Sequence, residues 1–253
     1  MKLISTLWCI PLLLTTFIST GQTTEKKTFY ARRLMGVPPR IDGRLDEEEW
    51  KQAAWENGFF QHRPYDGKEA TQKTFFTIFF DDNYLYAGLK MFDTSPDSIV
   101  KRLTRRDDTD GDIAGIEIDS YSDNRTAFAF AVTSSGVKYD FMETNDGGTT
   151  DDTWNPVWWV DVSDDSLGWY AEMKIPFTQL RFGKDQEQNW GFQVLRYLFR
   201  KEELDLWQPV SPKQPGFVSF FGRLRGINDI KPRKTTDRSE ERRVGKECSS
   251  RWS

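Results

Sequence analysis

Apolar and polar side chains alternate with the period of a β-strand over most of residues 74–224. Turn residues, mainly Asp, Asn, Gly and Ser, separate the alternating segments. Short strands at this spacing predict an all-β fold, an antiparallel β-sandwich of jelly-roll or immunoglobulin-like type. The predicted strands cover residues 74–80, 84–92, 113–120, 126–133, 137–143, 157–162, 169–175, 190–200 and 217–224.

One or two short helices are expected beside these strands. Asp46 stands where it can cap a helix over residues 47–54, whose first turn carries the acidic residues that the helix dipole favours. Trp50 is the apolar residue of that helix best placed to anchor in the core. Pro176 ends a strand, and a helical turn is predicted over residues 177–180.

The first 21 residues have the pattern of a secretory signal peptide. Lys2 supplies a positive start, residues 3–18 are mostly apolar, and residues 19–21 are small, which predicts cleavage before Gln22. The alternative is a membrane anchor, but the run is short for a span of about 20 residues. Residues 22–40 are polar and then rich in Pro and Arg, and we interpret them as an entry segment.

The C-terminal segment differs in character from the rest. Residues 238–253 (RSEERRVGKECSSRWS) show no strand or helix pattern and are dense in charge. They closely resemble the translation of a sequencing-adapter read-through, which carries Arg where this chain has Ser249. The alternative is a native charged linker. We expect residues 233–237 to begin a linker, residues 238–253 to be non-native, and the native chain to continue past Asp237.

Composition narrows the classes of function. The net charge of −4 gives no electrostatic support to nucleic-acid binding. Cys9 and Cys248 both lie in the terminal segments, so a disulfide framework or a thiolate metal site is not expected. The single histidine, His62, has no identifiable nucleophile partner, and no glycine-rich phosphate loop occurs. A carboxylate pair for glycoside hydrolysis stays open, because its spacing in the fold is invisible in the sequence.

Several short motifs, in this order and spacing, resemble family 9 carbohydrate-binding modules. The stretch IDGRLDE at 41–47 followed by Trp50 resembles the opening of such domains, and YLYAG at 84–88 resembles their second strand. GWYAE at 168–172, followed by IPF and LRF, resembles a late strand and its exit. The resemblance covers roughly residues 40–232, and we assign the module itself to residues 41–232.

Other motifs narrow this resemblance to a subgroup. RRD at 105–107, Trp190-Gly191 and GFVS at 216–219 are similar to members in which the module precedes a large C-terminal region thought to be an outer-membrane β-barrel. The resemblance implies an exported protein, periplasmic or associated with the outer membrane, with the barrel as a partner within the full-length chain.

The resemblance also implies candidate saccharide contacts. Sugar rings stack on exposed aromatic planes that are flanked by polar groups. Trp207 matches the position of a ligand-stacking Trp, while Arg196 and Arg200 resemble a strand that supplies polar contacts. Trp154 follows an acidic loop and is a further candidate. The alternative is that Trp207 closes the end of the sandwich and that the arginines pair with acids.

The chain departs from the sugar-binding members at two places. Gly115 stands where they carry an acidic residue, and residues 109–112 lack their second stacking Trp. The aromatic pair that holds a sugar ring in those members is therefore incomplete.

Two acidic loops are candidates for calcium, which takes several oxygen ligands from flexible loops. Some family relatives bind calcium. The first loop holds Asp107, Asp108, Asp110 and Asp112, and the second holds Asp146, Asp151, Asp152 and Asn155. Solvated acidic loops are the alternative.

Three hypotheses about function follow. The first is a non-catalytic carbohydrate-binding module. The second is an interaction or gating domain that serves an outer-membrane barrel without binding sugar. The third, a glycoside hydrolase, rests on family association alone.

Overall fold

The predicted strands form two stacked sheets in a computed structural model, which describes residues 25–230. The predicted signal peptide (1–21) and read-through tail (238–253) lie outside the described residues, as do both cysteines. Within residues 25–230, no helix has the length and apolar character needed to cross a membrane.

The larger sheet contains nine strands in the order β1-β14-β12-β6-β7-β8-β9, with β13 joining β12 to β3. β12 pairs with β14 along its first half and with β13 along its second half, so one long strand organises that edge. The nine strands are β1 (Thr28–Tyr30), β3 (Phe60–Arg63), β6 (Ile113–Asp119), β7 (Ala127–Thr133), β8 (Lys138–Thr144), β9 (Thr149–Asp151), β12 (Trp190–Leu198), β13 (Glu203–Leu206) and β14 (Gly222–Arg225).

The smaller sheet has five strands in the order β10-β11-β5-β4-β2. Each neighbouring pair in this sheet is antiparallel except β2 with β4, which is parallel. The larger sheet also has one parallel pair, β1 with β14. The five strands are β2 (Arg32–Arg33), β4 (Thr74–Phe80), β5 (Tyr84–Phe92), β10 (Trp159–Asp165) and β11 (Gly168–Pro176).

These sheets confirm the predicted β-sandwich. The helices are short: α1 (Glu48–Lys51) and four 3-10 turns at Pro96–Ser98, Phe177–Gln179, Phe199–Lys201 and Val218–Phe220. Several local predictions are wrong. The helix predicted over residues 47–54 spans only Glu48–Lys51, and the strand predicted over residues 190–200 ends at Leu198. Asp46 does not cap α1, whose N-cap is Glu47. The strand predicted over residues 217–224 is a 3-10 turn that leads into β14.

Apolar side chains of both sheets form one core between them. Along β7, Phe128, Phe130 and Val132 enter this core, as their alternation predicts, and the alanines between them lie on the opposite face of the sheet, where they are also buried. Phe76 of the smaller sheet packs on Phe192 of the larger one with ring centroids 5.7 Å apart. Burial of these large rings is the main favourable term that holds the sheets together.

A segment of the chain covers the outer face of the smaller sheet. Trp50 of α1 is fully buried and stacks on Phe79 with ring centroids 4.9 Å apart. The Glu172 carboxylate of β11 accepts hydrogen bonds from the backbone N–H groups of Asp42 and Gly43, which fixes the start of this segment. Gly88 lies beneath Trp50, and a Cβ there would come within 2.8 Å of the indole ring.

We therefore expect Gly88→Ala to destabilise the protein, because the added methyl group displaces Trp50. Overpacking of this kind costs roughly 1–3 kcal/mol. Urea denaturation followed by tryptophan fluorescence measures the change. Gly183→Ala is the matched control, because a Cβ at Gly183 would have its nearest neighbour at 3.4 Å, an ordinary contact. Equal stability of the two variants would contradict the packing described for Trp50.

Candidate functional site

Trp207 is a core residue, so its prediction as an exposed stacking platform is wrong. Only 1% of its surface is exposed. Its ring lies 5.2 Å from Phe76 and 5.8 Å from Phe192, between the two sheets. Gly222 approaches the ring so closely that a Cβ there would stand 2.7 Å away. The large apolar ring is more stable in the core than in a charged loop.

Arg196 also points into the sandwich and does not face a ligand. Its side chain is fully buried and donates to the backbone oxygens of Lys73 and Phe92 and to Thr74 Oγ1 of the opposite sheet. The strand ends at Leu198, so Arg200 lies on the following 3-10 turn. There it binds the Asp93 carboxylate through two contacts of 2.8 Å.

The two arginines therefore hold an internal acid and do not serve as exposed sugar contacts. Burial alone would raise the pKa of Asp93, but hydrogen bonds from Arg200 and from the Ser95 N–H, together with the charge of Arg196, outweigh it. The net result is a pKa below the ordinary value, so Asp93 stays ionised between the arginines.

Trp154 is half-buried, and its ring packs against two core phenylalanines of β7. Its ring centroid lies 5.0 Å from that of Phe128 and 5.4 Å from that of Phe130. Of the next two tryptophans, Trp158 is buried and Trp159 is 46% exposed, so they face opposite ways, as strand alternation predicts. Trp159, and not Trp154, is the most exposed tryptophan among residues 25–230.

The four aspartates of the first acidic loop do not converge on a metal site. Asp110 pairs with Arg102, Asp112 is buried and accepts backbone N–H groups, and Asp107 accepts the Asp140 N–H. At Asp108, the backbone oxygen accepts a hydrogen bond from Thr104. No group of three or more His, Cys, Asp or Glu side chains in residues 25–230 is arranged to hold a metal ion. These residues therefore do not fit the predicted calcium ion.

The structure instead places a cleft on the outer face of the larger sheet, with a volume of about 620 Å³. The turn after β8, the segment between β13 and β14, and one residue of β3 enclose it. Pockets of this size class hold small organic ligands. The lining residues are His62, Glu143, Asn145, Asp146, Gly147, Gly148, Ser211, Pro212, Gln214, Pro215, Gly216 and Phe217.

Asp146 joins the two walls of this cleft. Its carboxylate accepts the N–H groups of Phe217 and Ser219 and the Ser219 hydroxyl, and its backbone oxygen also accepts the Phe217 N–H. Burial alone would raise its pKa, but these hydrogen bonds hold the pKa of Asp146 below the ordinary value. The second acidic loop thus contains a structural anchor, not a group of metal ligands.

Small residues of β6 and β7 meet on the outer face of the larger sheet. Gly115 pairs with Ala131, and a Cβ at Gly115 would lie 2.6 Å from the Ala131 Cβ. An acidic side chain therefore does not fit at this position without backbone movement. Two residues later, on the same face, Glu117 carries a carboxyl group that sequence reasoning did not identify.

Glu117 and Glu143 form a pair of poorly satisfied carboxyl groups on this face. Glu117 is 2% exposed, and Oε2 of each residue is buried without a hydrogen-bond partner among the described residues. Burial raises the pKa of Glu117 to about 8, and the charge of Glu143 adds to the effect. Burial also raises the pKa of Glu143 to about 7, although a hydrogen bond from Thr150 opposes the rise. Near neutral pH the pair retains protons that exposed carboxyl groups would have lost.

Sequence reasoning missed most of this site. In the sequence, His62 stands out only as a catalytic candidate without a nucleophile partner, and Phe217 belongs to a family motif and to the strand predicted over residues 217–224. The alternation of β8 places Glu143 on the same face as Tyr139 and Phe141. That alternation was a usable signal, but the contact between residues 143–148 and 211–217 was not visible in the sequence.

The described fold is that of known carbohydrate-binding modules. A family 9 carbohydrate-binding module from Caldicellulosiruptor kristjanssonii in complex with glucose superposes with a TM-score of 0.57 at 15% identity, covering 84% of this chain and 100% of that one. The complex of such a module from the same organism with cellotriose gives 0.57 at 16% identity, covering 83% and 97%.

This chain shares their fold. A protein from Bacteroides uniformis, provisionally assigned to carbohydrate binding, superposes with a TM-score of 0.60 at 14% identity, covering 79% of this chain and 99% of that one. No protein-family model and no curated protein matches the sequence. At these identities the similarity establishes the β-sandwich fold. Glucose and cellotriose are ligands of those structures and are not assigned to this chain by the comparison.

Because Trp207 fills the core, we expect Trp207→Ala to lower the free energy of unfolding by about 3–5 kcal/mol. Trp159→Ala is the control. Trp159 is 46% exposed, and we expect its replacement to cost less than about 1 kcal/mol. Chemical denaturation monitored by far-ultraviolet circular dichroism measures both. A Trp207→Ala protein with wild-type stability would show that the ring is not in the core.

The carboxyl pair predicts that stability falls as pH rises. Glu117 has a pKa of about 8 in the folded protein against an ordinary 4.5, so the folded state binds its proton more tightly. The resulting stability is complete below pH 4.5 and is lost as the pH rises through 8. Between pH 5 and pH 8 we expect Glu117 to remove roughly 2–4 kcal/mol.

Urea titrations at pH 5, 6, 7 and 8 test this slope. Glu117→Gln should flatten it, while Glu25→Gln, at an exposed position, should not. Part of the slope should remain in Glu117→Gln, because burial raises the pKa of Asp205 to about 8 and that of Glu172 to about 7. A wild-type protein that gains stability from pH 5 to pH 8 would contradict the assignment.

Proposed function

We propose that this domain is a non-catalytic carbohydrate-binding module that holds a saccharide in the cleft between residues 143–148 and 211–217. The observation that carries the proposal is the composition of that cleft. It has an aromatic wall and several side chains that can exchange hydrogen bonds with hydroxyl groups, within about 620 Å³. This cleft lies on the outer face of the larger sheet, whereas Trp207 lies between the two sheets.

The aromatic part of the wall comes from Phe217, with His62 at its edge. The two rings lie 6.1 Å apart at an interplanar angle of 67°. Phe217 is half-buried, so part of its surface is open to the cleft. Sugar C–H faces pack on such aromatic surfaces.

The polar part comes from Glu143, Asn145 and Gln214. Asn145 and Gln214 are exposed, and Glu143 is half-buried. His62 contributes its Nε2, because its Nδ1 is engaged with the backbone oxygen of Val210 at 2.8 Å. Donors and acceptors around an aromatic surface are the arrangement that saccharide recognition requires.

The supporting experiment is calorimetric titration of the purified protein with a panel of mono- and oligosaccharides. For a ligand that binds, His62→Ala and Gln214→Ala should each weaken binding about fivefold to tenfold, the effect of losing one hydrogen bond of about 1 kcal/mol. Gln186→Ala is the matched control, because Gln186 is exposed and outside the cleft. Binding that is unchanged in both cleft variants would remove the cleft as the site.

A second candidate function is an interaction domain for a partner protein. The burial of Trp207 and Arg196 favours it, because the sugar contacts implied by the family resemblance are not available. Trp159 and Val157 add an apolar surface, 46% and 62% exposed, at edge strand β10 and just before it. Absence of heat with every saccharide from a folded sample would favour this second function.

We further propose that the domain is exported and forms the N-terminal part of an outer-membrane protein. The signal-like segment 1–21 and the motif resemblance to barrel-linked modules support this proposal. Expression of residues 1–253 in a Gram-negative host, followed by fractionation and N-terminal sequencing, tests it. A mature protein in the periplasm that begins at Gln22 is expected, and an uncleaved cytoplasmic protein would contradict it.

A further inference from the structure

The cleft has a one-sided charge distribution. Glu143 and Asp146 line it, Glu117 lies behind Glu143 on the same sheet face, and no lysine or arginine is among the described lining residues. The Asp146 carboxylate accepts three hydrogen bonds from Phe217 and Ser219. Glu143 accepts one long hydrogen bond, from Thr150 to Oε1, and its Oε2 is buried, so Oε1 is the atom of this lining carboxyl group that keeps capacity for a ligand.

Three basic residues lie near the cleft but are not among its lining residues. Lys213, between the lining residues Pro212 and Gln214, pairs with the Asp66 carboxylate at 3.5 Å. Lys26 donates to the backbone oxygen of Ser219, on the far side of the Asp146 anchor. Arg125 donates to Asn145 Oδ1 at 3.2 Å and is exposed. Neither belongs to the lining. Glu143 thus faces the cleft without a cationic partner among the described residues.

The surroundings of Glu143 leave its charge uncompensated. From β6 it faces Glu117, which is 2% exposed and has an oxygen without a partner. From its own strand it faces Tyr139, whose pKa is raised by burial and then by the charge of Glu143. Thr150 of β9 donates one long hydrogen bond of 3.3 Å. His62 contributes a ring from β3 across the cleft.

We propose that the cleft takes a glycan bearing a free amino group, whose ammonium binds the Glu143 carboxylate in place of a proton. This inference rests on the proposed function and names the class of its ligand. A buried carboxylate that lacks a partner is costly, and a charge-assisted hydrogen bond from an ammonium removes that cost. The ammonium keeps its three hydrogens, the Glu143 proton leaves to solvent, and Glu117 remains protonated behind the contact.

N-acetylated and uncharged sugars lack this interaction. An acetamide or hydroxyl group can donate to Glu143, but it brings no charge to offset the ionised form. A uronic acid would place a second negative charge beside the Glu143 carboxylate, and like charges in a partly dehydrated site repel strongly. Amino sugars should therefore bind more tightly than N-acetylated or neutral sugars, and uronic acids should bind least.

The test is calorimetric titration of the purified protein with glucosamine, N-acetylglucosamine, glucose and glucuronate at pH 6.5. Matched trimers of glucosamine and N-acetylglucosamine extend the series if the monosaccharides bind weakly. We expect glucosamine to bind at least tenfold more tightly than the other three. Repeating the titration in buffers of different ionisation heat should show net proton release on binding.

Glu143→Gln should reduce the glucosamine preference to less than threefold and abolish the proton release, while Glu25→Gln changes neither. The variant also shows that the released proton does not come from the ligand amine. Wild-type protein gives an independent measurement, because affinity for glucosamine should fall from pH 6.5 to pH 5 as protons compete for Glu143.

The outcomes separate the two proposals. Equal binding of glucosamine and N-acetylglucosamine, or a preference that survives in Glu143→Gln, overturns the inference and leaves the saccharide-binding function standing. Silence with all four sugars and the trimers, from protein with a normal urea midpoint, overturns the proposed function together with the inference.

Discussion

A buried arginine joins the two sheets at one end of the sandwich. Arg196 starts on β12 and bonds to the backbone of Lys73 and Phe92 on the other sheet, with Asp93 beside it. Burial lowers the pKa of Arg196 to about 10, so it remains charged at neutral pH. An arginine without water must keep its hydrogen-bond partners, and loss of one would leave an uncompensated buried charge. These contacts tie β12 to the start of β4 and the end of β5.

The position of the cleft depends on this anchor. After β12 the chain turns through Phe199–Lys201, where Arg200 binds the same Asp93, and returns as β13. β13 in turn holds β3, which carries His62. The segment that follows β13 then crosses the sheet to meet Asp146. The walls of the cleft are thus held by polar contacts at Asp93 and Asp146 together with a small apolar cluster of Ala127, Phe217, Val218 and Phe221.

The sequence predicted the sheets much better than the cleft. Alternation identified the long strands because each has one face in the core, as Phe128, Phe130 and Val132 do in β7. Strands of two to four residues, such as β2 and β13, were missed, because alternation over so few residues carries no signal. Trp207 and Arg196 were misplaced for a different reason. Charged neighbours suggested an exposed loop for Trp207, and burial of an arginine depends on partners more than 100 residues away.

Acidic residues in this protein serve opposite purposes, and only their neighbours distinguish them. Asp146 receives several hydrogen bonds and has a lowered pKa, which makes it a permanent charge that ties two loops. Glu143 lies three residues earlier, receives one long hydrogen bond and has a raised pKa. Asp146 holds the two walls of the cleft together. Glu143 lines the cleft without a cationic partner among the described residues. A ligand that brings a positive charge to the Glu143 carboxylate offsets the cost of burying that carboxylate. This gain in affinity is the physical basis for expecting a cationic sugar.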